Sequence, residues 1–432
     1  MFDSYFVLIY YFLLLFISKL LTRESLSSFV ICIYIIWWGT LIYCSTFNFY
    51  FLLPISNKSY FILLLSTTSF VIGFLLAKTK HKKPYEYLSC DFNILKSEIS
   101  TCYKIVLMVS LVYIGYLAVR YYSLLLIYSA GEARGIRYTL DFFDSRLLAI
   151  LFVYFHAFFL FAVMRLIYMI MFFKKYNKWV FLTATYVILF CFVGTGRYQL
   201  LYVLFVALLF HKYEPRFMEL RHRSKFASIL VIVMMAFGLV FFGILRSSSL
   251  DYEFENFLIS CVHYINGPFR LLDLGIDDTA YLNQLGYPCY GTASMGGFVE
   301  IFGPLFIACG IRSNSADIVQ ILNENVMSIT DYVTTYYNYS YTAFFTYYLD
   351  FGLIGCFFIP MLFGYLLRKS LCDYIRNRDF YSFCIFVYLF FVSITSFFSW
   401  DFMQSPSAIF CVTIYFLMYR NKKMAVRSYR KL

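Results

Sequence analysis

Long apolar runs separated by short polar connections dominate the chain, at about 4 to 20, 28 to 47, 59 to 77, 104 to 128, 147 to 172, 179 to 195, 198 to 211, 227 to 244, 341 to 367, 381 to 399 and 406 to 419. A helix of about 20 apolar residues crosses a hydrocarbon layer of ~30 Å. The pattern therefore predicts an all-α, polytopic integral membrane protein with about 11 transmembrane helices. About eight of them fall in residues 1–244 and about three in 341–432, the latter followed by a basic tail. Residues 245–340 form one large loop. The first run lacks a basic flank and a small-residue cleavage site, so it is expected to stay in the mature chain.

Composition agrees with that pattern: 62% of residues are hydrophobic and 14% charged, with a mean hydropathy of +0.72. These values exclude an ordinary soluble multidomain protein. A formal charge of +12 would fit nucleic acid, but its distribution explains it otherwise. Basic residues gather in alternate connections: Lys19 and Arg23, Lys78 to Lys104, Lys174 to Lys178, Lys212 to Lys225, Arg368 to Arg378, and Arg420 to Lys431. By the positive-inside rule these connections face the cytoplasm. With Arg165 snorkelling to the same side, the inner side holds 27 of 36 Lys and Arg residues. The surplus is topological, and no nucleic-acid partner is expected. The same alternation places the N-terminus outside and the C-terminus inside.

The twelve cysteines are scattered without CxxC or Cys/His spacing, so they read as apolar fillers, and no metal or cofactor is expected. An apolar stretch at 295–311 contains Glu300 and Pro304. As a span it would invert the basic alternation beyond it, so it is expected to be re-entrant or interfacial.

The 96 residues from Leu245 to Ser340 differ from every other connection: they contain ten acids, three arginines and no lysine. Pairs such as Gly267-Pro268 and Gly303-Pro304 punctuate this loop, as expected of a working surface on the outer side. The nine outer basic residues are Lys58 and eight arginines: Arg120, Arg134, Arg137, Arg146, Arg197, Arg246, Arg270 and Arg312. A planar guanidinium grips phosphate oxygens bidentately where lysine offers a point charge, so this bias points to a phosphate or pyrophosphate ligand. Depletion of lysine by the positive-inside rule is the competing explanation.

Gly194-Thr195-Gly196-Arg197 joins two apolar runs with almost no loop. It reads either as a turn that aims Arg197 at a ligand or as a tight hairpin whose arginine meets lipid headgroups. Arg120 lies within an apolar run, where an ionisable group is either functional or paired with a carboxylate. His263 and Arg270 are seven residues apart and share a face if the segment is helical as far as Pro268. His263 is the one outer histidine outside a span, which makes it a candidate general base or a structural histidine.

With this turn, the large loop and the segments Asn338-Tyr339-Ser340-Tyr341-Thr342 and Leu349-Asp350-Phe351-Gly352 in view, the chain resembles the Wzy-type O-antigen polymerases. The resemblance implies a glycosyltransferase of the bacterial inner membrane, working on the periplasmic side. Undecaprenyl-pyrophosphate-linked oligosaccharide would serve as both donor and acceptor, and the partners would be membrane lipid and a polysaccharide chain-length regulator. Arg197, Arg246, His263 and Arg270 are then the expected catalytic residues, with Arg120, Arg134, Arg137, Arg312 and Asp350 binding substrate. An O-antigen ligase using the same donor, and a flippase for the same lipid, are the alternatives. A flippase would favour an internal repeat, and the two halves show no clear duplication.

Overall fold

The structure is a computed structural model. It describes residues 4–22, 24–77, 100–137, 139–172, 178–194, 197–213, 254–303, 315–324, 326–331, 336–338, 341–377 and 379–429. In chain order the helices are α1 (Ser4–Leu21), α2 (Ser25–Ser45), α3 (Asn57–Leu76), α4 (Thr101–Ile127), α5 (Ala130–Arg137), α6 (Arg146–Phe172), α7 (Lys178–Gly194), α8 (Arg197–Tyr213), α9 (Phe254–Asp277), α10 (Thr279–Gln284), α11 (Gly296–Ile301), α12 (Ser315–Glu324), α13 (Ala343–Asn377), α14 (Phe380–Thr395) and α15 (Ser405–Tyr429). One antiparallel ribbon joins β1 (Val326–Ser328) to β2 (Tyr336–Asn338), with Val326 opposite Asn338.

Six of the described helices, α1, α2, α3, α4, α6 and α13, are long and apolar enough to cross a membrane. Shorter apolar helices occupy Lys178–Gly194, Tyr198–Phe210 and Phe380–Thr395. The expected span 227 to 244 lies outside the described residues. Large apolar side chains stand exposed along the long helices, including Leu8, Phe12 and Phe16 on α1 and Ile354, Phe358 and Leu362 on α13. Such faces suit hydrocarbon and not water, so the fold is that of a helical membrane protein. Helix starts follow local chemistry: Ser56, Ser100 and Asp379 each accept the backbone N–H three residues on, capping α3, α4 and α14.

Two departures from the sequence expectation concern helix ends. Helix α9 runs through Pro268 to Asp277, although a proline removes one helical donor; residues 266–272 are all buried, so packing holds the helix across it. Helix α13 continues ten residues beyond the expected end at 367 into the basic segment. The stretch beginning at 295 forms only the six-residue α11 before residues 304–314, which lie outside the described set.

The chain packs as two compact units, Met1–Tyr85 with Phe254–Leu432, and Glu86–Glu253. In the first, α3 and α13 cross with their backbones in contact. A Cβ on Gly73 would stand 1.8 Å from the Met361 carbonyl oxygen, and one on Gly364 would stand 2.1 Å from that of Phe70. Small residues permit such an approach between apolar helices, where lipid offers no hydrophobic drive for association. Helix α2 adds Trp37 and Trp38, whose indoles donate to the Ile394 and Ser393 carbonyls of α14 at 2.8 and 3.1 Å. The Trp38 ring packs on Phe344 with centroids 4.6 Å apart.

The second unit is an aromatic bundle of α4, α6, α7 and α8. Phe159 and Phe190 stack with centroids 4.4 Å apart. Tyr186 and Tyr202 donate to the Phe155 and Leu160 carbonyls of α6 at 2.7 and 3.0 Å, so buried hydroxyls are satisfied by helix backbone where water is absent.

We expect Gly73→Val and Gly364→Val each to cost about 1–3 kcal/mol through overpacking. The effect would be read as a lower melting temperature of the detergent-solubilised protein. Gly115→Ala, whose Cβ meets nothing within 4 Å, should leave it unchanged or raised. Equal melting of all three variants would show that the α3–α13 crossing is not the tight contact described.

Candidate functional site

Helix α13 breaks at the Asp350-Phe351-Gly352 sequence. Gly352 has φ +60° and ψ −140°, a conformation that glycine adopts without steric cost. A break releases backbone carbonyls that must find donors. Here the Leu349 and Asp350 carbonyls accept the N–H groups of Cys289 and Tyr290 at 2.8 and 3.2 Å. The Asp350 carboxylate, fully buried, takes three more: Gly291 and Ala293 on Oδ1 at 2.9 and 3.0 Å, and Ser294 on Oδ2 at 2.8 Å. The far side of this turn is held by Trp400, whose indole donates to the Ser294 carbonyl at 2.7 Å. Asp350 therefore organises the 289–294 turn through its own carboxylate.

A second centre in the same unit is built around Arg270, 1% exposed. Its Nε donates to the Leu53 carbonyl at 3.1 Å, and one Nη donates to the Ser45 and Phe47 carbonyls at 3.0 and 3.3 Å and to Asn48 Oδ1 at 3.4 Å. Burial draws its pKa down to about 10, partly offset by Tyr60 and Asp273, so it stays cationic at neutral pH. The guanidinium clamps the α2–α3 connection, where Tyr50 and Phe51 both have positive φ, +52° and +62°. Neither residue type favours that region. The connection is further tied by Leu53 N–H to the Ile329 carbonyl at 2.9 Å and Asp331 N–H to the Phe51 carbonyl at 3.1 Å.

His263 lies on the same face of α9, with Nε2 3.4 Å from the Tyr50 carbonyl oxygen. Burial, with a smaller push from Arg270, holds its pKa below the ordinary imidazole value. It is therefore neutral at pH 7, and in the tautomer that donates to Tyr50 its lone pair is on Nδ1. Between His263 and Arg270, the Asn266 Oδ1 is buried without a partner.

In the second unit, Arg137 at the end of α5 is buried and donates from Nη1 to the Val193 carbonyl at 2.8 Å, on the last turn of α7. That contact joins the end of α5 to the end of α7, four residues before Arg197, the first residue of α8. Beside it, Gln199 Oε1 is buried with no partner, its Cδ 3.2 Å from where a Gly194 Cβ would be. Arg120 ion-pairs with Asp144 and also donates to the Asp141 carbonyl at 2.6 Å. It holds the Asp144 carboxyl below the usual range. This is the carboxylate pairing that its position in an apolar run allowed.

The structure thus groups His263 with Arg270 in one unit and joins Arg137 to the end of α7 in the other. Arg246 and Arg312 lie outside the described residues, as do the side chains of Arg134 and Arg197. Trp400 and the acceptor role of Asp350 were not legible in advance, because each depends on contacts distant in sequence, and the burial of Gln199 Oε1 leaves no mark in the sequence. Among the described residues, no three His, Cys, Asp or Glu side chains converge as a metal site. The chain matches no protein-family model, no curated protein and no solved structure.

Removing the Arg270 guanidinium leaves several buried carbonyls without donors, each costing about 1–3 kcal/mol. We expect Arg270→Ala to lose about 3 kcal/mol or more of stability, and Arg270→Lys, with one compact ammonium, to recover only part. A thermal melt of the purified variants checks this. Wild-type melting of Arg270→Ala would show that the clamp is not structural.

Proposed function

We propose that this chain is a polymerase of lipid-linked oligosaccharide repeat units, working at the outer face of a bacterial inner membrane. The observation that carries the reading is the Arg137–Val193 contact, which joins the end of α5 to the last turn of α7, directly before the sequence Gly194-Thr195-Gly196-Arg197. In this reading Arg197, four residues beyond Val193, supplies fixed positive charge where a pyrophosphate leaving group develops negative charge. Gln199 adds a buried acceptor without a partner next to that turn, suited to a donor such as a sugar hydroxyl. The reaction moves a growing glycan from undecaprenyl pyrophosphate to the hydroxyl of a fresh lipid-linked unit. The acceptor oxygen forms the new glycosidic bond, the bond to pyrophosphate breaks, and the hydroxyl proton passes to a base.

The finer topology belongs to the same reading: eleven spans, a periplasmic 245–340 loop and a cytoplasmic basic tail. Membership of the Wzy-type O-antigen polymerases rests on the resemblance of the arginine turn and the Asp350-Phe351-Gly352 segment, together with the architecture.

A reporter fused after Asn283 should report the periplasm and one fused after Asn377 the cytoplasm. Both on one side would overturn the span assignment. For chemistry, the decisive residue is Arg197. Loss of a transition-state contact of this kind costs about 3–4 kcal/mol, or roughly 10²–10³ in rate. We expect Arg197→Lys and Arg197→Ala, both shown to insert normally, to abolish long polysaccharide on a gel and leave single repeat units. Normal polymer from the lysine variant would mean that charge alone suffices, and normal polymer from both would make the turn structural.

A further inference from the structure

Tyr290 is 74% exposed, yet its backbone is tightly constrained. Its φ is +49°, in a region that non-glycine residues seldom occupy. Its own N–H and those of Cys289, Gly291, Ala293 and Ser294 are all bound to residues 349 and 350. A strained, rigid turn that presents a large aromatic ring outward is a feature found at binding sites and not one that packing requires.

Other groups of the same kind surround it. The Tyr290 ring stands edge-on to Phe351, with centroids 6.3 Å apart. Across the helix break, Tyr287 stacks on Tyr348 at 5.7 Å with planes 17° apart, and its hydroxyl lies 3.0 Å from where a Cβ on Gly352 would be. Lys58 Nζ lies 5.8 Å from the Tyr348 ring centroid and pairs with Asp277 at 2.8 Å, both side chains about half exposed. From Phe351 a shallow, open apolar groove of about 300 Å³ runs along one face of α13, lined by Ile354, Gly355, Phe358, Ile359 and Leu362.

We propose that Tyr287, Tyr290 and Tyr348, with Lys58 and Asp277, form a carbohydrate-binding platform for the saccharide end of a lipid-linked glycan whose hydrocarbon tail follows the α13 groove. The flat C–H faces of sugar rings pack on aromatic faces. Their hydroxyls both donate and accept, which suits an exposed carboxylate beside an ammonium. Phe351 belongs to both the platform and the groove, so the surface changes from sugar-compatible to hydrocarbon-compatible at one residue. An amphiphile with that division fits it, whereas a free sugar would leave the groove unused. The choice of a lipid-linked saccharide rests on the polymerase reading above.

The test uses the full chain in lipid nanodiscs. Its probes are lipid-linked oligosaccharides extracted from the membranes of cells that express the chain, with undecaprenyl pyrophosphate as the sugar-free control. We expect the wild type to bind the glycosylated lipid at least about tenfold more tightly than the control. Tyr290→Ala should erase about a factor of ten of that preference and leave the control within twofold, whereas Tyr290→Phe should keep it. The exposure of Tyr290 makes loss of folding an improbable cause, and the phenylalanine variant monitors it. No preference in the wild type, or equal weakening of both lipids by Tyr290→Ala, would overturn the platform in favour of a bilayer-interface role for the tyrosines. Selective binding without chain growth in the same nanodiscs would leave the platform standing and remove the polymerase. Chain growth with selectivity untouched by Tyr290→Ala would do the reverse.

Discussion

A backbone carbonyl or amide with no partner costs about 1–3 kcal/mol when buried, and there is little water inside an apolar protein to supply one. That constraint decides what the break in α13 can be. The chain meets it by bringing the 289–294 turn onto the broken helix, so that five backbone N–H groups converge on residues 349 and 350. The position of Tyr290, the seat of Trp400 and the start of the α13 groove all follow from satisfying one interrupted helix.

The same constraint explains how this chain uses its arginines. Arg270 binds the carbonyls of the α2–α3 connection, Arg137 the carbonyl of Val193, and Arg368 the carbonyl of Phe74 at 3.3 Å. In each case a long cationic side chain crosses from one helix to the carbonyl of another segment. A guanidinium that bridges helices is therefore not by its presence a ligand-binding group. Arg270, Arg137 and Arg368 act on the framework in this conformation.

Apolar periodicity made the helical, membrane-embedded class legible, because spans are written in consecutive residues. The boundary between α7, ending at Gly194, and α8, beginning at Arg197, was visible for the same reason. The shared face of His263 and Arg270 was conditional on a helix reaching Pro268, and the helix runs on to Asp277 because residues 266–272 are buried around the proline. Asp350 stood out in its motif, but its partners lie about 60 residues earlier, and no local pattern reports a carboxylate accepting three distant amides. Trp400 was hidden likewise, its meaning residing in its contact with Ser294.

The first compact unit is assembled from two stretches of chain with the second unit inserted between them. Gly73 must meet Met361, so on a ribosome adding about 5–20 residues per second, α3 waits on the order of 15–60 s for α13. During that interval a helix whose Ser66 and Ser69 hydroxyls end up buried sits in the bilayer without its permanent neighbour. Biogenesis thus depends on something sheltering α1 to α3, either the insertion machinery or a transient pairing among themselves. A truncation ending before α13 would be expected to reach the membrane and be degraded there.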